Sequence, residues 1–213
     1  MSSTQAPLTD RLHERLLKLP FDAYVRLVGL LLIRLGYEQV TPAGRTNWKG
    51  HNRNGGVDLL ASLPGSLTAR GIVVQVKQFD KDSRVFQRHI DELRGVALRH
   101  RASEALMVTT GPVSSVLQSA MELEGDVVAP VRVIDGEMLL DLLILHSLGV
   151  GEDESLDEVL FTRLIEESEG NSRANSPGRE GLRLRVEVTP IARDRNRRFR
   201  KPGHLPSISM DLF

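Results

Sequence analysis

Hydrophobic positions along the chain recur with two periods, and the switches between them mark out the elements. Leu12, Leu16 and Leu19 fall at helical spacing, so a short amphipathic helix is expected over Leu8 to Lys18, stopped by Pro20. Asp22 to Leu35 is apolar around much of its circumference, which predicts a helix buried against a sheet and ended by Gly36. Tyr37 to Val40 reads as a strand. The stretch from Gly55 to Lys77, GGVDLLASLPGSLTARGIVVQVK, then reads as two neighbouring strands, the second opened by the β-branched Ile72-Val73-Val74. Downstream the pattern alternates: helix Val85 to Arg101, strand Ala105 to Thr110, helix Ser114 to Glu124, strand Val131 to Ile134, leucine-rich helix Gly136 to His146. Strands and helices in this order predict an α/β fold, a central mixed β-sheet flanked by helices on both faces.

Beyond Gly151 the character changes. Leu156, Val159, Leu160, Leu164 and Ile165 form the apolar stripe of an acidic helix, and the segment from Ser168 to Gly181 is rich in Ser, Asn, Gly and Pro, as linkers are. Leu182, Leu184, Val186 and Val188 alternate with Arg183, Arg185 and Glu187, a half-buried strand that needs a sheet edge. A basic run from Arg193 to Lys201 follows. The expected organisation is a helix over 1–19, a domain over 20–151, an acidic helix over 152–169, a linker over 170–181, and a strand with a basic tail over 182–213.

Three polar residues interrupt the Gly55 to Lys77 stretch where the hydrophobic pattern would not place them. Asp58 follows a glycine turn and opens a strand; Gln75 and Lys77 project from one face of the next strand, with Val76 turned away. An acid on one strand facing an amide and a lysine on its neighbour forms a plausible site for a hard divalent ion. Such an ion polarises a phosphoryl oxygen and lowers the pKa of a bound water, which is what phosphodiester hydrolysis needs. Asp58 would supply the charged ligand, and the Gln75 side-chain oxygen or the Val76 carbonyl a neutral one. Lys77 would orient the water or stabilise phosphoryl charge.

The series G-G-V-D followed by Q-V-K resembles the catalytic core of the PD-(D/E)XK nuclease superfamily, and within it the Mrr-like restriction endonuclease family, in which glutamine commonly replaces the last acid. Phe21-Asp22-Ala23-Tyr24 with Leu35-Gly36-Tyr37 is similar to that family's first helix, and Leu93-Arg94-Gly95, Val108-Thr109-Thr110 and Val133-Ile134-Asp135-Gly136 follow in its order. The resemblance covers roughly residues 18 to 150. It implies a restriction-endonuclease-like core over 20–151 and a Mg2+-dependent DNA endonuclease in which Mn2+ substitutes. That activity would serve restriction of foreign DNA or DNA repair, with Asp58, Gln75, Lys77 and Asp22 as catalytic residues. Asp22 stands where the family has glutamate; it reads equally as the N-cap of its helix. This departure and the missing second acid at Gln75 leave room for an alternative, a DNA-binding or assembly subunit that keeps the fold without cutting.

Composition adjusts this picture in three places. Lys and Arg balance Asp and Glu at 28 each, but acids crowd between Glu152 and Glu169 and bases between Arg193 and Lys201, so net charge says little about a DNA partner. The loop from Thr41 to Asn54 places Trp48 among Arg45, Lys49, His51 and Arg53; the cations suit phosphate contacts, and Trp48 either stacks bases or anchors the loop. Arg88 and its neighbours on the next helix either track phosphate or form a solvated face. No cysteine is present and no membrane span or export signal is legible, so a cytoplasmic protein is expected. The final Ser209-Met210-Asp211-Leu212-Phe213 resembles the peptide with which bacterial proteins dock on the DNA sliding clamp, although glutamine is usual at its start. Cutting both strands would favour a homodimer.

Overall fold

The computed structural model describes residues 6–43, 56–62, 71–80, 82–114, 117 and 129–174. Five strands form one sheet in chain order: β1 (Glu38–Pro42), β2 (Leu59–Ser62), β3 (Ile72–Lys77), β4 (Glu104–Thr109) and β5 (Val131–Ile134). The first three pair antiparallel, and β3, β4 and β5 pair parallel. Helices α1 (Leu8–Leu17), α2 (Phe21–Arg34), α3 (Gln87–His100), α4 (Gly136–Leu145) and α5 (Glu158–Ala174) cover both faces.

Local chemistry sets several boundaries. Gly36 takes φ +93, which lets Gly36 N donate to Ile33 O at 3.1 Å and Tyr37 N to Leu32 O at 3.0 Å. These bonds close α2 in a Schellman turn, so Tyr37 is committed to the helix end and β1 begins at Glu38. Pro42 ends β1, an edge strand where a missing N–H costs little. Val85, expected in the next helix, instead bridges Val113, and α3 starts two residues later. Asp135 caps α4, accepting from Met138 N at 3.0 Å.

Alternation along β3 divides the interior in two. Ile72, Val74 and Val76 pack with Leu106 and Val108 against α1, α2, α4 and α5, whereas Val73 packs with Ala105 and Met107 against Ile90, Leu93 and Ala97 of α3. The arrangement is an α/β/α sandwich. The leucine-rich helix α4 buries Leu139 and Leu143 in the larger cluster and leaves Leu145 exposed.

The acidic helix packs into that same cluster. Leu160, Phe161 and Leu164 of α5 are buried with the leucines of α2, and its acids meet cations of the first two helices. Glu158 accepts from Arg15 at 2.9 Å, the Arg15 guanidinium lies 4.8 Å from the centre of the Phe161 ring, and Glu167 stands 3.6 Å from the buried Arg26. Here the linker expected from Ser168 and over 170–181 needs correction: α5 continues to Ala174, through Gly170 and Asn171. Glycine and asparagine only weaken a helix that packing already holds. The rest of that linker, the strand over 182–188, the basic run and the Ser209 to Phe213 peptide lie outside the described residues. No helix among the described residues is long and apolar enough to cross a membrane.

Candidate functional site

The pattern of β3 places Gln75 and Lys77 on the row that begins with Val73, the face covered by α3. Leu59 pairs with Val74 in the antiparallel ladder, and Asp58 N donates to Val74 O at 2.9 Å. Asp58 therefore stands across from Gln75, one residue beyond the last paired position. Its Oδ2 accepts from Val76 N at 2.8 Å, the role a strand carbonyl would otherwise fill. On the other side Gln75 Nε2 donates to Gly56 O at 3.1 Å. Where β2 runs out, two side chains thus carry the ladder onward.

That brace fixes the amide. A carbonyl only accepts, so the nitrogen of Gln75 must face Gly56, and Oε1 is turned elsewhere. Gln75 is 5% exposed, and its Oε1 is buried with no hydrogen-bond partner among the described residues. A buried acceptor left this way costs about 1–3 kcal/mol, so it marks a place for a donor or a cation. One carboxylate with a neighbouring amide oxygen is a fitting donor set for magnesium, which keeps most of its waters. No group of three or more His, Cys, Asp or Glu able to hold a metal occurs among the described residues. Val76 enters through its N–H; its side chain is buried in the larger core cluster.

Asp22 sits differently. Pro20 is the N-cap of α2, so the N-cap reading of Asp22 is corrected: the residue lies in the first helical turn, where a carboxylate complements the exposed N–H groups. Its helix packs on the face opposite Gln75 and Lys77. The α1–α2 corner is nevertheless tied to the end of β3, because Gln78 Nε2 donates to Leu16 O at 2.7 Å and Leu19 O at 2.9 Å. Gln78, at the end of the motif, serves as a C-cap for α1.

A further group beside Lys77 was not singled out by sequence. His89, in the first turn of α3, accepts at Nδ1 from Phe86 N at 3.1 Å, and its ring lies 5.8 Å from that of Phe79. Burial, then the charges of Arg88 and Lys77, hold its imidazole below the usual range. Donors face both ring nitrogens, the Phe86 N–H at Nδ1 and the Arg88 Nε–H 3.4 Å from Nε2, an arrangement that disfavours the imidazolium. Arg88 is exposed, with its guanidinium 5.3 Å from the centre of the Phe86 ring. Arg45, Trp48, Lys49, His51 and Arg53 lie outside the described residues.

The carboxyl end of β4 closes the same end of the sheet. Thr110 N donates to Lys77 O at 3.1 Å and Thr110 Oγ1 to Phe79 O at 2.6 Å, while Gly136 N at the start of α4 donates to Gly111 O at 3.0 Å. Parallel strands commonly present their ligand sites at this end.

A five-stranded mixed sheet between helical layers, antiparallel in its first half and parallel in its second, is the architecture of the restriction-endonuclease-like folds. Solved structures agree. AspBHI, described as a DNA modification-dependent restriction endonuclease, superposes with a TM-score of 0.54 at 18% identity over 80% of this chain and 41% of its own. MspJI restriction endonuclease, in complex with a 27-mer oligonucleotide, gives 0.57 at 17% identity over 79% of this chain and 40% of its own. The chain thus spans about two fifths of the length of each, and at these identities the likeness concerns the fold. No curated protein sequence matches. The chain belongs to the restriction endonuclease family Mrr_cat, whose model matches residues 16–143.

Proposed function

We propose that this chain is a DNA endonuclease of PD-(D/E)XK type, dependent on a divalent cation, Mg2+ in the cell with Mn2+ as a substitute. Its role would be restriction of foreign DNA or DNA repair. The observation that carries the reading is the orphaned Gln75 Oε1 across the ladder from Asp58, on the row that ends in Lys77. A bound divalent ion would supply a polarised phosphoryl oxygen and a water of lowered pKa.

The residues divide the remaining work. Asp58 is held by the Val76 N–H at Oδ2, which fixes the plane of its carboxylate and places negative charge at the strand end. Gln75 adds a neutral oxygen in a fixed direction. Lys77, next along the row, brings a positive charge to the phosphoryl group as charge builds in the transition state. Asp22 would contribute from the adjacent helix start, and Arg88, together with Arg45, Trp48, Lys49 and Arg53, would hold the backbone of DNA.

Plasmid incubated with the purified chain and Mg2+ or Mn2+ should be nicked or linearised, and Lys77→Ala should leave it supercoiled. Equal nicking by both proteins would overturn the catalytic reading. The reading of the chain as a non-cutting DNA-binding subunit draws on the absence of a three-acid cluster among the described residues. Salt-sensitive DNA binding that survives in the alanine variants, with no cleavage under either metal, would establish it.

A further inference from the structure

The metal-site reading explains what Gln75 would do but not why position 75 carries an amide where an acid would bind a cation more strongly. Gly56 supplies a reason. Its carbonyl oxygen lies 3.1 Å from Gln75 Nε2, and a group at that distance from a carbonyl must donate. A glutamate would set two acceptors against each other in a buried place.

Two further features show that Gly56 is shaped for the contact. It takes φ +83, a conformation that strains any residue bearing a Cβ, and a Cβ built there would lie 2.6 Å from Gln75 Nε2. A side chain at residue 56 would therefore strain the turn and push the Gln75 amide, the end of a flexible chain, out of this position. The other end of the same amide is the buried Oε1 without a partner among the described residues. A side chain pinned through its nitrogen, with its oxygen left unmatched, has the form of a preoriented ligand.

We propose that Gly56 is a positioning residue of the site: its carbonyl sets the Gln75 amide so that Oε1 is the ligand atom, and so makes position 75 an amide position. The proposal rests on the metal-site reading for the role of Oε1, but the orientation itself is a property of the metal-free protein. It also bears on redesign, since restoring a second acid at position 75 would not strengthen the site.

The test uses the full chain, freed of metal by chelation, with Mn2+ alone as the probe. Nuclear magnetic resonance should find the Gln75 side-chain NH2 protected from exchange, and calorimetry should measure Mn2+ affinity for four proteins. Gln75→Glu should bind Mn2+ no more tightly than wild type and about tenfold more weakly if the two acceptors stay opposed. Gly56→Ala should lose about tenfold or more. Gly36→Ala is its control: Gly36 has φ +93 with nothing near its would-be Cβ, so it shares the backbone strain and should keep wild-type affinity. Rapid exchange of the Gln75 amide, tighter binding by Gln75→Glu, or equal affinities of Gly56→Ala and Gly36→Ala would each overturn the proposal. A protected amide in a wild-type protein that binds no Mn2+ would instead remove the metal-site reading and leave the orientation standing.

Discussion

The two faces of β3 share six residues and one backbone, yet they have opposite characters. Ile72, Val74 and Val76 form an unbroken apolar row sealed under α1, α2, α4 and α5, while the alternate row passes from Val73 to an amide at Gln75 and an ammonium at Lys77. Burial on the first face holds the sheet. On the second, the apolar cover of α3 gives way at the carboxyl end, and polar groups are held by the backbone of β3 and of the turn that leads into β2. The sealed face is thus rigid support for the other: Val76 packs in the core through its side chain while its N–H fixes Asp58.

The largest effects should separate chemistry from folding. Asp58→Asn keeps an acceptor for the Val76 N–H but loses the charge, so the fold should persist while cleavage falls at least as far as in Lys77→Ala. For the lysine variant a drop of about a hundred- to a thousandfold is expected, the usual loss when one transition-state donor is removed. Single-turnover cleavage together with a melting curve checks both. A large fall in melting temperature for Asp58→Asn would reassign Asp58 to holding the ladder.

Substitution on the sealed face should show the reverse pattern. Phe161 is wholly buried among the leucines of α2 and α4, so Phe161→Ala should cost about 3–5 kcal/mol in urea unfolding. The cleavage rate of the protein that remains folded should hardly change. A loss below about 1 kcal/mol would mean that α5 is an appendage after all.

That helix also shows where sequence reading stops. Period and order placed nearly every described strand and helix within two residues, because each face of each element is either apolar or not. The cluster into which α5 packs depends on Arg15 meeting Glu158 and Phe161, and Arg26 meeting Glu167, across more than a hundred residues of chain, and no local pattern records such meetings. The site was legible in part for the same reason. Alternation alone put Gln75 and Lys77 on one row, but the bond from Asp58 to the Val76 N–H, the bond from Gln75 to Gly56 and the place of His89 depend on register and turn geometry. The start of the linker was misjudged because residues with weak helix propensity are carried along when the preceding turns are packed.

His89 sharpens the comparison through pH. Its imidazole sits below the ordinary 6.5, chiefly through burial and then the charges of Arg88 and Lys77, with Glu92 opposing. The unfolded chain therefore binds the proton first. The stability this group contributes is fully present above about pH 6.5 and is lost as pH falls toward the folded value. His146 has the same sign, from burial and then Arg34, and sits in the turn after α4. Melting temperature should fall on acidification from pH 7 to about 5 in the wild type, and less steeply in His89→Gln and in His146→Gln. Only the first should also change the pH profile of cleavage; equal profiles would detach His89 from the site.

The smallest effect concerns another orphaned polar atom. Tyr24 is wholly buried in the larger cluster, burial pushes its phenol far up, and its hydroxyl has no hydrogen-bond partner among the described residues. Gln75 Oε1 is likewise buried without a partner among the described residues, but it is an acceptor only and its side chain is held through the bond from Nε2 to Gly56 O. An unmatched hydroxyl sealed in hydrocarbon serves no ligand, and Tyr24→Phe should raise stability by about 1 kcal/mol without changing cleavage. Gln75→Leu, which also removes the bond to Gly56 O, should instead lower stability by about 1 kcal/mol and abolish Mn2+ binding. If Tyr24→Phe also weakened cleavage, the sealed face would not be mere support, and an unmatched buried atom in this protein could no longer be taken as pointing to only one of the two faces.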